Sequence, residues 1–585
     1  MKHPLAPAGK AFLNGGMIAY PLFDLRRVHR LDGLWDIAWL GEVDPETVEP
    51  AAVVWQDRMT VPGVFDSCPD YVKKRGCFAL RTVVETEEVQ QRGRLRFGGL
   101  GLWARVFVDG QALGICQTPY APWTVEVPPA ESCRREVILI IDNRFDEKRV
   151  PLFDPFFDFF GYGGVYRTIQ WHELSALAID RVSVTPLDLK GKVEVAIRLD
   201  GESPEKLNFS LTFDENDPHQ HKNVPVENGV ARVTVRVPEA KLWSPASPHL
   251  HVLRVAIKED AIIERFGLRL VATKGHEILL NGKPLKLLGY NRHEAHPQYG
   301  PALPPQQLLQ DLQLLRQMGC NFVRGSHYPQ DQRFLDLCDE MGFLVWEEGL
   351  GWGTPVRHLI NPVFNDLQEV QTRAMIRTSI NHPSVIIWGF LNECESHTPE
   401  SEAPIARLAG VIREEDSSRL VTFASNHPFE ERNYEQVDVI AINQYPGWYA
   451  ADRMAERPLG EIEELIDRLL AHFDKVGQGN KPFIISEMGA GAIYGWRDPL
   501  EAHWSEEYQA AYLDILTRRV VGDKRINGVA IWQFCDGRTY ANSCALGRPR
   551  AFNNKGSFDE YRRAKMAVGA VRRNFTGAGS GQVPG

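Results

Sequence analysis

The second half of the chain repeats one pattern eight times: a short apolar run that stops abruptly on polar residues, followed in most cases by a segment of helical periodicity. "SVIIWGFLNECES", residues 384 to 396, shows it best, because Val385, Ile386, Ile387 and Trp388 lead straight into Asn392 and Glu393. The eight runs are "KLLGYN", "NFVRGS", "FLVWEE", "VIIWGF", "LVTFAS", "DVIAIN", "PFIISE" and "GVAIWQF". "LPPQQLLQDLQLLRQMG", "DQRFLDLCDEMG", "EIEELIDRLLAHFDK" and "EYQAAYLDILTRRV" supply amphipathic helices between them. Eight strand-helix units predict a closed (β/α)8 TIM barrel. The competing doubly wound open sheet lacks its expected glycine-rich phosphate loop after the first strand.

Barrels of this kind place their chemistry where the strands end. The polar ends here are His293-Glu294, Arg324 to His327, Glu347-Glu348, Asn392-Glu393, Ser425-Asn426, Asn443 to Tyr445, Glu487 and Trp532. Glu393 closes the fourth strand and Glu487 the seventh, which sets two carboxylates across the mouth from one another. That pairing is the equipment of a glycosidase, in which one group protonates the leaving oxygen and the other attacks the anomeric carbon. Spacing alone leaves open that both are solvated loop residues.

The first half has another rhythm. Residues 1–175 carry short alternating segments such as "RLRFGG", "WARVFVDG" and "REVILIIDN" between turn residues, which predicts an antiparallel jelly-roll sandwich. Residues 176–270, with "IDRVSVTPL", "KVEVAIRLD", "ARVTVRVP" and "HLHVLRVAI", predict a small immunoglobulin-like sandwich, and residues 271–585 hold the barrel. A chain of 585 residues with 43% hydrophobic content has ample material for three cores.

Charge and cysteine content exclude several function classes. The net charge of -10, from 66 basic and 76 acidic residues without long runs, argues against nucleic-acid binding. Nine cysteines without a CxxC pair argue against a disulfide framework and a structural zinc, so no metal and no cofactor are expected. "MKHPLAPAGKAFLNGG" lacks an apolar signal core and no apolar stretch spans a bilayer, which predicts a cytoplasmic protein with no membrane partner.

The chain resembles the retaining β-glycosidases of glycoside hydrolase family 2 through "LDGLWDIAW", "VPGVFD", "FGYGGVYR", "LWSP", "GYNRHEAHP", "NFVRGSHYP", "NHPSVIIWGFLNE" and "PFIISEMGA", in the family's order. The resemblance implies Glu393 as acid/base and Glu487 as nucleophile. It implies Asn392 as the partner of the sugar 2-hydroxyl, His293 as a sugar-subsite histidine and Tyr445 as a donor to the nucleophile. Trp532 would be the aromatic floor under the sugar. Asn443 and Tyr449 of "NQYPGWY" join the substrate-binding set. Arg324 is expected as a buried partner beneath the nucleophile, with His327 structural or in contact with the sugar. A homo-oligomer, dimer or tetramer, is also implied.

The glycone is read from "RPRAFNNKGSFDEYRRAK" after the eighth strand, where Asn553 and Lys555 match the N-x-K motif with which β-glucuronidases hold a C6 carboxylate. Arg548 or Arg550 is expected to reinforce the clamp; Arg550 is placed in the substrate-binding set, and the loop does not settle which of the two touches the carboxylate. Asp158 matches an aspartate that accepts from an equatorial 4-hydroxyl. The expectation is therefore a retaining exo-β-glucuronidase acting on β-glucuronides or other β-uronides. A β-galacturonidase or dual hexuronidase is the alternative, then a β-galactosidase; a catalytically inert sugar-binding protein is disfavoured by the two intact glutamates. "LGWGTPVRHLINPVFND" is short, which points to an open aglycone side able to admit oligosaccharides.

Overall fold

The computed structural model describes residues 20–89, 92–152, 158–214, 216–449, 458–540 and 548–579. The N-terminal "MKHPLAPAGKAFLNGG" and Cys544 lie outside the described residues.

Strand alternation builds the first unit. Gly93–Phe97 buries Leu95 and Phe97 while Arg94 and Arg96 point to the other face. It lies in a four-stranded sheet with Val28–Arg30, Ile169–Glu173 and Trp123–Val127. A six-stranded antiparallel sheet containing Gly33–Gly41, Cys77–Glu85 and Arg134–Asp142 faces it. Trp35, Ile37, Leu80 and Leu139 from one sheet interlock with Leu95, Phe97, Ile169 and Trp171 from the other. Burying each such side chain stabilises the sandwich by roughly 1.5–3 kcal/mol.

A second all-β unit runs from Leu177–Pro186 to Ala261–Phe266 in seven antiparallel strands. Its first and last strands return into contact around Ile179, Val195, Leu211 and Val255, closing a second small core.

The barrel strands are β1 (Leu287–Arg292), β2 (Phe322–Gly325), β3 (Leu344–Glu348), β4 (Val385–Asn392), β5 (Leu420–Ser425), β6 (Ile440–Asn443), β7 (Phe483–Glu487) and β8 (Ile526–Ile531). All are parallel, and β8 pairs with β1 to close the ring. Helices outside and packed side chains inside bury both faces, so β4 is buried at every position and reads as a continuous apolar run. The interior is tight: a Cβ on Gly389 of β4 would lie 1.9 Å from Trp346 Nε1. Trp243, Ile278 and Leu280 join the interior cluster from the segment before β1 and plug the end away from the mouth.

Helices follow the strands where apolar periodicity allows. Gln332–Met341 starts on Asp331, whose carboxylate accepts from Arg333 N, and stops at Gly342 with φ 73°. Glu461–Lys475 and Glu506–Gly522 follow β6 and β7. Between β5 and β6 there is no α-helix, only the 3-10 turn Tyr434–Gln436, because "NHPFEERNYEQV" has no helical apolar stripe.

The first sandwich is seated on the barrel's mouth. Arg167 donates to Glu294 Oε2 at 2.8 Å and to the Pro329 carbonyl, and Tyr120 stacks on Tyr328 at 3.9 Å. This docking brings the loop carrying Asp158 to the strand ends.

Candidate active site

At the centre of the mouth lies a buried guanidinium. Arg324 extends from β2, donates to Glu487 Oε1 at 2.9 Å and Asn392 Oδ1 at 2.7 Å, and forks onto both oxygens of Glu348. Its guanidinium lies 4.6 Å from the centre of the Trp346 ring. His327 Nδ1 meets Glu348 Oε1 at 2.9 Å, and its Nε2 comes within 3.8 Å of Glu487 Oε1.

The two glutamates end their strands in different surroundings. Glu487 receives Arg324 on one oxygen and the Tyr445 hydroxyl on the other at 2.6 Å. Burial raises its pKa to about 7, against the lowering by Arg324 and Tyr445. Glu393 sits just beyond β4, and among the described residues its hydrogen-bond donor is an amide, Asn443 Nδ2 at 2.9 Å. Burial, reinforced by the Glu487 charge, pushes Glu393 up to about 8. One carboxyl is thereby biased toward the proton-bearing form and the other toward the carboxylate.

Asn392 Oδ1 is held by Arg324 and Asn443, while its Nδ2 is buried with no partner among the described residues. That leaves an amide donor for a ligand oxygen. Ser486 Oγ donates to Asn443 Oδ1 at 2.7 Å and thereby fixes the Asn443 amide. Trp532 stacks on His327 at 5.2 Å and meets His293 edge-on at 5.4 Å. His293 Nδ1 lies 3.3 Å from the Tyr328 hydroxyl, and its buried Nε2 has no partner among the described residues.

Asp158, Trp532, Tyr445, Tyr449, Arg548 and both glutamates line one cavity of about 860 Å3. At its sandwich-facing end, Arg548 grips Asp158 through Nε at 2.7 Å and a second N–H, and Asn553 Nδ2 donates to Asp158 Oδ2 at 2.8 Å. Lys555 Nζ donates to the Tyr449 hydroxyl at 2.5 Å and lies 4.5 Å from the centre of that ring. Burial, with Arg548 nearby, drives the Lys555 pKa well below that of an ordinary lysine. Only 2% of this side chain's residue surface is exposed, and no carboxylate lies within ion-pairing distance of it among the described residues.

The expected Arg550 contact is corrected: its guanidinium pairs with Glu560 at 3.0 Å, outside the cavity lining. The turn Pro549–Ala551 places Arg550 at φ 61°, a left-handed conformation that swings its side chain away and leaves Arg548 facing the site. Of the other expected residues, Asp158, Glu393, Asn443, Tyr445, Tyr449, Glu487 and Trp532 line the cavity, whereas His293, Asn392, Asn553 and Lys555 lie just behind it, in contact with Trp532, Asn443, Asp158 and Tyr449 respectively. Sequence reasoning did not single out Trp352 or Arg468, which also line the cavity. It also gave no site role to Glu348, the carboxylate that anchors Arg324 and His327. The polar end of β3 was the available signal for Glu348.

Asp336, Asp339 and His382 have the spacing of metal ligands, but each is engaged: Asp336 by Arg265, Asp339 by His382 at 2.6 Å, and His382 Nε2 by Gln332. No helix of the described residues is long and apolar enough to cross a membrane.

Known proteins share this architecture. Residues 177–269 match the model described as "Glycosyl hydrolases family 2", and residues 271–576 match "Glycosyl hydrolases family 2, TIM barrel domain". A β-glucuronidase from Streptococcus agalactiae is 27% identical over 95% of this chain and 97% of its own length. The human β-glucuronidase is 28% identical over 84% of this chain and 79% of its own. The crystal structure of a β-galacturonidase from Eisenbergiella tayi bound to galacturonate superposes with a TM-score of 0.85 at 32% identity, covering 95% of this chain and 98% of that one. With its barrel and the unit before it both matched, the chain belongs to glycoside hydrolase family 2 and is a glycosidase.

Proposed function

We propose that the protein is a retaining exo-β-hexuronidase, with β-D-glucuronides as its leading substrates. The observation that carries this reading is Lys555: a buried amine beside Tyr449, with no carboxylate of the described residues within ion-pairing distance. A substrate carboxylate supplies the missing anion, and a neutral hexose does not. The β-glucuronidase and β-galacturonidase names among similar proteins support the same class.

In this mechanism the Glu487 carboxylate attacks the anomeric carbon as Glu393 gives its proton to the departing glycosidic oxygen. The aglycone leaves as an alcohol and the sugar remains esterified to Glu487. Glu393, now a carboxylate, removes a proton from water, whose oxygen displaces Glu487 and restores the β configuration. Tyr445 and Arg324 hold Glu487 for attack and stabilise it as it departs. Asn392 Nδ2 is placed to bind the 2-hydroxyl, a contact that strengthens in the transition state. Residues 1–175 are then a jelly-roll sugar-binding domain, 176–270 an immunoglobulin-like sandwich and 271–585 the catalytic barrel.

A second reading, preference for β-galacturonides, is favoured by one contact. Arg548 grips both oxygens of Asp158, which reduces the capacity of that carboxylate to accept from an equatorial 4-hydroxyl. Parallel kcat/KM measurements on aryl β-glucuronide, β-galacturonide, β-galactoside and β-glucoside test both readings. Faster hydrolysis of the neutral glycosides than of either uronide refutes the hexuronidase assignment.

A further inference from the structure

A single amide nitrogen serves two consecutive residues at the tip of β4. Asn443 Nδ2 donates to Asn392 Oδ1 at 3.0 Å and to Glu393 Oε1 at 2.9 Å. Successive strand residues ordinarily point to opposite faces. Here Leu391 and Glu393 have left-handed φ values of 54° and 50°, and the pairing of β4 with β5 shifts register between Gly389 and Asn392. The alternation is broken there, and both side chains meet the same partner on β6.

The orientation of that amide follows from Arg324. A guanidinium has only donors, so the Asn392 atom that it meets at 2.7 Å is the oxygen. That oxygen requires a donor from Asn443, which fixes Nδ2 on this side and leaves Asn443 Oδ1 to accept from the Ser486 hydroxyl at 2.7 Å. Both N–H groups of Asn443 are thereby engaged, one with Asn392 and one with Glu393. The guanidinium that holds Glu487 at 2.9 Å therefore also decides, through two amides, which atom Glu393 meets.

The consequence lies in where the acid keeps its proton. In a protonated carboxyl the carbonyl oxygen is the better acceptor, so the N–H on Oε1 makes Oε1 the carbonyl and Oε2 the hydroxyl. Glu393 lines the cavity, and its Oε2 takes no hydrogen bond from the described residues. Resting on the reading of Glu393 as acid/base, we infer that Asn443 is a positioning residue that keeps the transferable proton on Glu393 Oε2, the oxygen left to the substrate. In the first displacement the Oε2–H bond breaks, and the proton passes to the glycosidic oxygen as that oxygen leaves the anomeric carbon. In the second, Oε2 takes a proton from the water whose oxygen bonds to the anomeric carbon. Asn443 stays on Oε1 in both steps and never has to turn. Sequence reasoning had placed Asn443 among the substrate contacts.

The test is the pH profile of kcat/KM for Asn443→Ala and Asn443→Asp on two substrates: an activated aryl β-uronide, and a methyl β-uronide whose leaving group needs the proton. Glu487, Asp158, Arg324, Tyr445, Tyr449 and Lys555 also act on Glu393 among the described residues, and these variants leave all of them in place. The Asn443 N–H favours the carboxylate form of Glu393, so its loss should move the alkaline limb to higher pH. Asn443→Asp, which sets a carboxylate against Oε1, should move it further. Both should lose about tenfold or more on the methyl β-uronide, a part of the roughly 10²–10⁴-fold that general acid catalysis supplies. The loss on the aryl β-uronide should be much smaller, with its KM little changed. Ser486→Ala, which only frees Asn443 Oδ1, should shift the limb less in the same direction, and it decides the matter if neither Asn443 variant folds. An unmoved alkaline limb in the folded variants, or a rise in KM with equal losses on the two substrates, overturns the inference and leaves Glu393 as acid/base. Equal losses of Glu393→Gln on both substrates overturn the acid/base reading and this inference with it.

Discussion

Replacing Lys555 by Met removes the charge while keeping an unbranched side chain in a pocket walled by Tyr445, Trp448 and Tyr449. The lost contact is one charge-assisted hydrogen bond to the substrate carboxylate, worth about 1.5–3 kcal/mol. That range converts to about a ten- to over a hundredfold loss of kcat/KM. Arg548 can replace little of it, because its fork is committed to Asp158. The fold should survive, since the substitution leaves no buried anion without its cation. The assay follows p-nitrophenol release from the aryl β-glucuronide and the aryl β-glucoside with wild type and variant. The glucuronide should lose the full factor and the glucoside far less. A pH series adds a second arm. Because burial and Arg548 lower the Lys555 pKa, the free lysine is charged only below that depressed value. Wild-type preference for the uronide should therefore weaken as pH rises, and Lys555→Met should flatten that dependence. Equal losses on both substrates, or a pH-independent preference in the wild type, would refute the clamp.

Glu487→Ala should abolish turnover with the thermal transition retained; activity within tenfold of wild type would remove its assignment as nucleophile. Glu393→Gln should cost far more on substrates with poor leaving groups than on activated aryl glycosides, because only the former need the proton. The pH profile of kcat/KM should be a narrow bell: rising as Glu487 ionises with a pKa of about 7 and falling as Glu393 loses its proton at about 8, the two limbs belonging to the coupled pair. Asp311→Ala strips the shared carboxylate from the fully buried Arg292 and Arg562, so differential scanning fluorimetry should show destabilisation of about 3–5 kcal/mol.

The barrel was legible because its signal is local. Each of the eight apolar runs in the sequence contains or overlaps one of the eight observed strands, and burial on both faces forces that composition. Glu393 and Glu487 were legible for a related reason, since a carboxylate closing such a strand has few places to go but the mouth. The missing helix between β5 and β6 shows that the alternation can fail in one unit without opening the ring. Other features depend on distant chain segments. Asp158 and Arg548 are 390 positions apart, and the turn that selects Arg548 over Arg550 depends on a left-handed residue that composition does not announce. The unpartnered oxygen of Asn426 and the position of Trp352 on the cavity wall likewise appear only once loops from different strands are assembled.

The proposed division of labour between the two glutamates follows from where one arginine points. Both carboxyls are desolvated, and burial alone would raise both pKa values without distinguishing them. Arg324 breaks the symmetry because it rises from β2 on the Glu487 side, with Glu348 and Asn392 holding its remaining N–H groups so that it cannot swing toward Glu393. Tyr445 adds a second donor to the same carboxylate. Glu393 has an amide from Asn443 and the repulsion of an ionised neighbour, which biases the proton toward it. Exchanging Glu and Gln at either position would not exchange the roles, since the electrostatic asymmetry resides in Arg324 and its anchors and not in the glutamates themselves.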